Sequence, residues 1–347
     1  MPHAPTPRAT IKALLRGEAP AHPLLMPIIF ALGSRLESVA LREFQSNPTK
    51  IANALRQIRH TLKVDGLACY FDPFLEAEAL GCKLNWLPDG SPCLAPAQFS
   101  DVDDFREKLL SADSLSNIGR VRIVCEVLTR LKTMLKDEPA LMVRVTGPFT
   151  LAAQLTGLAG QELAAAQSSL EFCAEVAAMM AKEFATAGAD VVLLVEDALP
   201  SLSTEICERW CSVLEPAINM IRFYDALPVL HLGHAARIAE ASSCILDCEW
   251  NCALNLELPE AATESRKSKW VGGALPQDVF LDTRAELSTS VTSICRRLLV
   301  QRPVLLTSVD DISLTADIKR VAAVLEAARS VCQVESKTEG SPEPQRA

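Results

Sequence analysis

The chain has 347 residues, 49% hydrophobic and 22% charged, which is ample material for a large core. A formal net charge of −9 argues against a general nucleic-acid binder, which carries a basic footprint, and no run of about 18 apolar residues is present to form a transmembrane helix. Twelve scattered cysteines, and an N-terminus without the charged-then-apolar order of a signal peptide, predict a cytoplasmic protein with reduced thiols.

Eight short apolar, partly β-branched runs follow along the chain. They are LLMPIIF (24–30), VDGLACYFDP (64–73), ALMVRVTGP (140–148), ADVVLLVED (189–197), LPVLHLGH (227–234), CILDCE (244–249), KWVGGA (269–274) and RPVLLTSVDD (302–311). Helical periodicity lies between most of them. Ile51, Leu55, Ile58 and Leu62 share one helix face, Phe172, Val176, Met180 and Phe184 a second, and Ile318, Val321 and Leu325 a third. The polar segment 335–347 has no periodicity and reads as a disordered tail.

Strands alternating with helices give a parallel sheet with helices outside it, and nearly continuous apolar strands fit burial on both faces. Eight such units predict a single (β/α)8 TIM barrel with a core from about residue 20 to 332. An open doubly wound sheet is the alternative. In a barrel the chemistry gathers at the C-terminal ends of the strands. That rule selects Asp72, Thr146, Glu196, Asp197, His231, His234, Asp247, Glu249, Asp310 and Asp311.

Three segments together, YFDPFLEAEALGCKLNW (70–86), VRVTGPFTLAAQLTG (143–157) and AGADVVLLVED (187–197), resemble the uroporphyrinogen decarboxylase superfamily. They look closest to its corrinoid-linked methyltransferase branch, such as the methylcobalamin:coenzyme M methyltransferases. WVGGALPQDVFL (270–281) is similar to the family's glycine-rich seventh-strand turn, which brings Gly273 to the pocket. The resemblance spans roughly residues 24 to 330 and also implies a (β/α)8 barrel. Uroporphyrinogen decarboxylases carry paired arginines after the first strand to grip the substrate's carboxylates. Here only Arg35 stands near that place, so porphyrinogen decarboxylation is not the leading reading.

In the thiol-using branch, zinc is held by a His-x-Cys pair after the fifth strand and a cysteine after the eighth. His231 matches the first ligand, but Gly233 stands at the second, and LLTSVDDIS contains no cysteine. Carboxylates from Glu196, Asp197, Asp310 or Asp311 are the replacement ligands for zinc or another divalent metal. Residues i and i+2 of a strand face the same side, so His234 joins His231 only if the strand ends near Gly233 and the chain turns. Without a metal, His231 reads as an inward histidine bonded to a carboxylate. Glu196 and Asp197 then read as a polar strand end capping the following helix, and Asp310 and Asp311 as a solvated loop or helix cap. Cys244, Cys248 and Cys252 read as buried structural thiols, which would turn Asp247 and Glu249 toward the barrel axis. No phosphate-binding glycine loop or nucleophile elbow is present.

The resemblance implies a corrinoid-linked methyltransferase. It would move a methyl group between a small molecule (methyl ether, amine, halide or thiol) and a cobamide carried by a separate corrinoid protein, with Asp72 and His231 as catalytic residues. Loss of the thiolates favours a Lewis-acidic role on a leaving group. Two rivals stand beside it: a decarboxylase or lyase acting on a non-porphyrin substrate, and a non-enzymatic barrel that has lost its metal.

Overall fold

In the computed structural model, eight parallel strands form one sheet. The structure describes residues 5–95, 115–136, 138–233, 252–254, 270–281, 287–300 and 302–339. In chain order the strands are β1 (Leu24–Leu25), β2 (Gly66–Tyr70), β3 (Leu84–Trp86), β4 (Pro92–Leu94), β5 (Ala140–Thr146), β6 (Val191–Glu196), β7 (Leu227–Leu232), β8 (Cys252–Leu254), β9 (Trp270–Leu275) and β10 (Leu305–Ser308). The main sheet runs β1-β10-β9-β8-β7-β6-β5-β2. It closes where the backbone N–H of Asp65 donates to the Leu25 carbonyl at 2.9 Å, and the Leu25 N–H returns a 2.7 Å bond to the Asp65 carboxylate. The result is the eight-stranded barrel expected from the sequence. β1 is short for a local reason: Pro27 has no N–H to give, and the next donor, Ile28, bonds the Ser308 hydroxyl instead at 3.0 Å.

Two of the three helix faces picked from periodicity pack inward on the sheet, and the third, in the helix Ile318–Glu339, buries Val321 and Leu325 and leaves Ile318 half-buried. Ile51, Leu55, Ile58 and Leu62 are buried in the helix Pro48–Leu62, and Phe172, Val176, Met180 and Phe184 in Gln167–Ala187. Asn47 caps the first of these by accepting the N–H groups of Thr49 and Lys50, both at 3.1 Å. A preceding helix, Pro7–Leu15, is tied to the N-terminal ends of the strands through Arg8, which bonds Asp190 at 2.9 Å.

Three expectations change. The sixth barrel strand is β8 at Cys252–Leu254, paired with β7 and β9, rather than the run 244–249. Asp247 and Glu249 lie outside the described residues. The last helix, Ile318–Glu339, carries on through the first residues of the segment read as a tail. Cys207 and Cys211 are each disulfide-bonded, whereas Cys69 and Cys173 are buried free thiols. The spacing of cysteines in the sequence offered no rule that would single out those two.

The insertion between β2 and β5 supplies the antiparallel hairpin β3–β4. In its turn, Asp89 accepts the Ser91 N–H at 2.9 Å, and Gly90 takes the left-handed conformation at φ 84°. This turn carries Asp89 and Ser91 to the barrel mouth. Among the described residues no helix is long and apolar enough to cross a membrane.

Candidate active site at the barrel mouth

A cavity of about 570 Å³ opens at the C-terminal strand ends, with Gln45, Phe71, Arg144, Asp197, Asp310 and Asp311 in its wall. Arg144 comes from the middle of β5, between Val143 and Val145. A charge in an apolar strand needs a partner once buried. Arg144 Nη2 donates to Asp197 Oδ2 at 2.6 Å, and the guanidinium lies 5.0 Å over the Phe71 ring. Its Nε is buried and has no hydrogen-bond partner.

His231 is fully buried near the C-terminal end of β7 and faces the barrel interior. Its Nε2 bonds the Val309 carbonyl at 2.8 Å. Val309 follows β10, three strands from β7 in the sheet order, so the imidazole reaches across the interior. With Nε2–H donating to a carbonyl, Nδ1 presents a lone pair, and that atom is buried without a partner. Burial, together with the neighbouring Arg144 cation, pushes the imidazole down to about 4, so the ring is neutral at pH 7.

Asp197 and Gly233 meet closely. A Cβ placed on Gly233 would lie 1.5 Å from Asp197 Oδ1. Gly233 is the position that the resemblance sets against a cysteine of the thiol-using branch, and here a carboxylate fills the space a side chain would take.

Several expected site residues serve the scaffold instead. The Glu196 carboxylate accepts Thr150 Oγ1 at 2.7 Å, the Thr150 N–H at 2.9 Å, Trp210 Nε1 at 3.1 Å and the Phe149 N–H at 3.2 Å. It caps the N-terminus of helix Pro148–Thr156. Burial still raises it to about 7 against those four donors. Gly147 makes room, since a Cβ there would sit 2.4 Å from the Glu196 carboxyl carbon. The segment GPFT, within the resembling stretch 143–157, is thus the seat of Glu196. Thr146 is likewise committed, with Oγ1 donating to Glu76 at 2.6 Å. Gly273 faces the outer helices, because a Cβ would meet Leu306 at 2.7 Å and Leu298 at 3.2 Å.

Asp72 was expected to face the pocket. It is buried beneath the cleft, paired with Arg120, with Gln45 Nε2 donating to it at 3.3 Å and the Phe74 N–H at 2.8 Å. Gln45, held between that pair and the cavity, is the group that reaches the cleft wall. Asp311 ties β10 to the segment after β1 by accepting the N–H groups of Phe30 and Ala31, both at 2.8 Å. Enclosure of its carboxyl raises it to about 7, and neighbouring Asp310 adds to the rise. Asp310 is exposed at the rim.

The donor set does not suit zinc. Among the described residues no three His, Cys, Asp or Glu side chains gather where they could hold an ion. The orphaned Nδ1 of His231 offers one ligand, but Asp197 is committed to Arg144. A guanidinium this close to the imidazole repels a dication. Glu196 is saturated by its four donors, and His234 lies outside the described residues. The expectation of an ion held by His231 with carboxylates therefore fails for the residues described, because the cation already present is an arginine.

Sequence reasoning missed Arg144, Gln45, Arg120 and Trp210. Arg144 had a legible signal: it is the single charge inside the run ALMVRVTGP.

The family model described as uroporphyrinogen decarboxylase (URO-D) matches residues 6–331. A methylated-thiol–coenzyme M methyltransferase of Methanosarcina mazei is 34% identical over 89 residues, which are 25% of this chain and 23% of that protein. The match thus spans about a quarter of that relative. A solved methyltransferase from Methanosarcina mazei shares the fold with a TM-score of 0.77 at 16% identity, covering 94% of this chain and 98% of the other. A B12-independent methionine synthase from Shewanella sp. W3-18-1 has a TM-score of 0.53 at 14% identity, covering 84% and 89%.

Proposed function

The chain belongs to the uroporphyrinogen decarboxylase family, and within it we propose a methyltransferase that moves a methyl group between a small molecule and a cobamide carried by a partner protein. The observation that carries this reading is the charge of the cleft. Among the described residues, Asp89, Asp197, Asp310 and Asp311 line it against one guanidinium, Arg144. Such a wall repels a tetrapyrrole with many carboxylates, so the decarboxylation that names the family does not suit it. Arg35 offers no grip either, since its Nη1 donates to the carbonyls of Leu314 and Ala316, both at 2.8 Å. The resemblance to the corrinoid-linked branch, and the stretch shared with a methylated-thiol methyltransferase, support methyl transfer instead.

The corrinoid, when its carrier docks at the mouth, supplies the centre that gives or takes the methyl group. This chain supplies the reactant's seat. Arg144 and Asp197 fix one wall by their mutual bond and by the stack on Phe71. Neutral His231 holds its ring by Nε2–H on Val309 and offers Nδ1 as an acceptor.

The test is a methyl-transfer assay. Purified protein is mixed either with methylcobalamin and thiols, or with reduced cobalamin and methylated thiols, amines, ethers and halides. Turnover is followed by the change in corrinoid absorbance. Transfer with at least one class is expected. No transfer with any class, together with release of carbon dioxide from a small carboxylic acid, would replace this reading by a lyase.

A further inference from the structure

We propose that the cleft binds a small onium carboxylate, a molecule with a methylated ammonium or sulfonium centre and one carboxylate. The carboxylate would lie on Arg144 and the onium centre at the rim by Asp310 and Asp311. As a statement about a methyl donor it rests on the methyl-transfer reading; as a statement about binding it stands alone.

Arg144 carries the first half. Its side chain is only 3% exposed, yet it forms part of the cleft wall. Asp197 takes Nη2, and Nε is left buried without an acceptor. A buried N–H left unsatisfied is costly, and native structures rarely keep one without a ligand or water to meet it. The missing partner is an acceptor, and a guanidinium edge matches a carboxylate best. One such cation in the wall takes one carboxylate.

The rim carries the second half. Asp310 is exposed there, with Asp89 and Asp311 in the same wall. Carboxylates lining a cleft focus a field that draws in a cation. An onium centre has no N–H or S–H to satisfy, so it needs a field rather than fitted acceptors. The cavity of about 570 Å³ lies within the range that encloses small organic ligands.

The chemistry agrees with the groups at hand. When a methyl group leaves an onium centre, the C–N or C–S bond breaks with its electron pair staying on nitrogen or sulfur. The departing group is a neutral amine or sulfide and takes up no proton. A reduced corrinoid on the partner would supply the electron pair that accepts the methyl carbon. No acid and no Lewis-acidic ion is required at the leaving atom. That suits a site whose histidine is neutral and whose described carboxylates do not converge on an ion.

Calorimetry without any corrinoid tests the binding. The probes are glycine betaine, dimethylsulfoniopropionate, tetramethylammonium chloride and sodium acetate. At least one of the two zwitterions should bind tenfold or more tighter than tetramethylammonium and acetate. Arg144→Lys, which keeps the charge but loses Nε, should weaken that zwitterion at least tenfold and leave tetramethylammonium within twofold. Asp310→Asn, at an exposed position, should weaken both cations about threefold with an unchanged melting temperature. Zwitterions that bind no tighter than tetramethylammonium overturn the proposal, as does zwitterion binding indifferent to Asp310→Asn. Tight zwitterion binding without methyl transfer would sink the methyltransferase reading and keep this one. Transfer from neutral thioethers with no zwitterion bound would do the reverse.

Discussion

Gly233 and Asp197 exclude a side chain between them: a Cβ on the glycine would lie 1.5 Å from the aspartate Oδ1. Asp197 is held there by Arg144, 2.6 Å away. An ion pair therefore occupies the place that the resemblance would give to a zinc-binding cysteine.

Gly233→Ala should accordingly push Asp197 off Arg144 and cost about 1–3 kcal/mol, the range for overpacking a filled site. Urea denaturation measures it. Gly233→Cys restores the family's thiol and should cost at least as much, without bringing stoichiometric zinc into protein purified without chelators. Elemental analysis reads that directly. One zinc per chain in the cysteine variant would show that the ion pair yields to a metal.

Asp72 and Arg120 are buried to 0% and 7% side-chain exposure. Removing one member of such a pair leaves an uncompensated charge, and Asp72→Ala should cost about 3 kcal/mol, the low end of the range because Glu78 still bonds Arg120 at 2.6 Å. The methyl-transfer rate per folded molecule should stay within about twofold, whereas losing a general acid or base costs roughly a hundredfold or more. A hundredfold fall in rate with stability intact would return Asp72 to the reacting atoms.

Neutral His231 makes a separate prediction. With the imidazole pushed down to about 4, its ring proton resonances should not titrate between pH 5 and 8. His231→Gln keeps an acceptor and a donor and should bind reactants better than His231→Ala, which leaves Val309 without its donor. A midpoint near the ordinary histidine value would mean that the ring reaches water and acts as an acid or base.

The barrel was legible because its signal is repeated. Six of the eight apolar runs contain the strand they were expected to hold, a seventh misses only its last residue, Leu275, and all the residues the helix periods select are buried except half-buried Ile318. The sixth strand of the sheet, Cys252–Leu254, was not picked out because CAL is only three residues long, and its pairing with Val229–His231 is what identifies it. The mouth was legible as a list of strand ends but not as a set of partners. Asp72 finds Arg120 48 residues downstream, and Glu196 finds the start of a helix 46 residues upstream. No local pattern encodes those distances. Arg144 could have been singled out, since a lone charge in a buried strand demands an explanation. The rule that chemistry sits at strand ends passed over it because it lies two residues inside its strand.

Glu196 provides the last test. Its folded carboxyl is raised to about 7 from the ordinary carboxylate range near 4.5, with burial as the cause. Between those two values the native state holds a proton that the unfolded chain has released, so stability is greatest below about pH 4.5 and is lost as pH rises through 7. Asp311 acts in the same direction. His231 acts in the opposite one, adding stability as pH rises from about 4 through the ordinary histidine value of 6.5. Comparing a variant with the parent isolates one group. Glu196→Gln turns an amide N–H₂ toward the donors of Phe149, Thr150 and Trp210, so at pH 8 it should be less stable than the parent despite carrying no charge. Its stability should lack the Glu196 share of the pH slope, about 3 kcal/mol between pH 4.5 and 8. Urea midpoints for both proteins at half-unit steps of pH measure the difference. Parallel curves would mean that Glu196 titrates in the folded protein where it does in the unfolded chain, and that its four donors fully offset its burial.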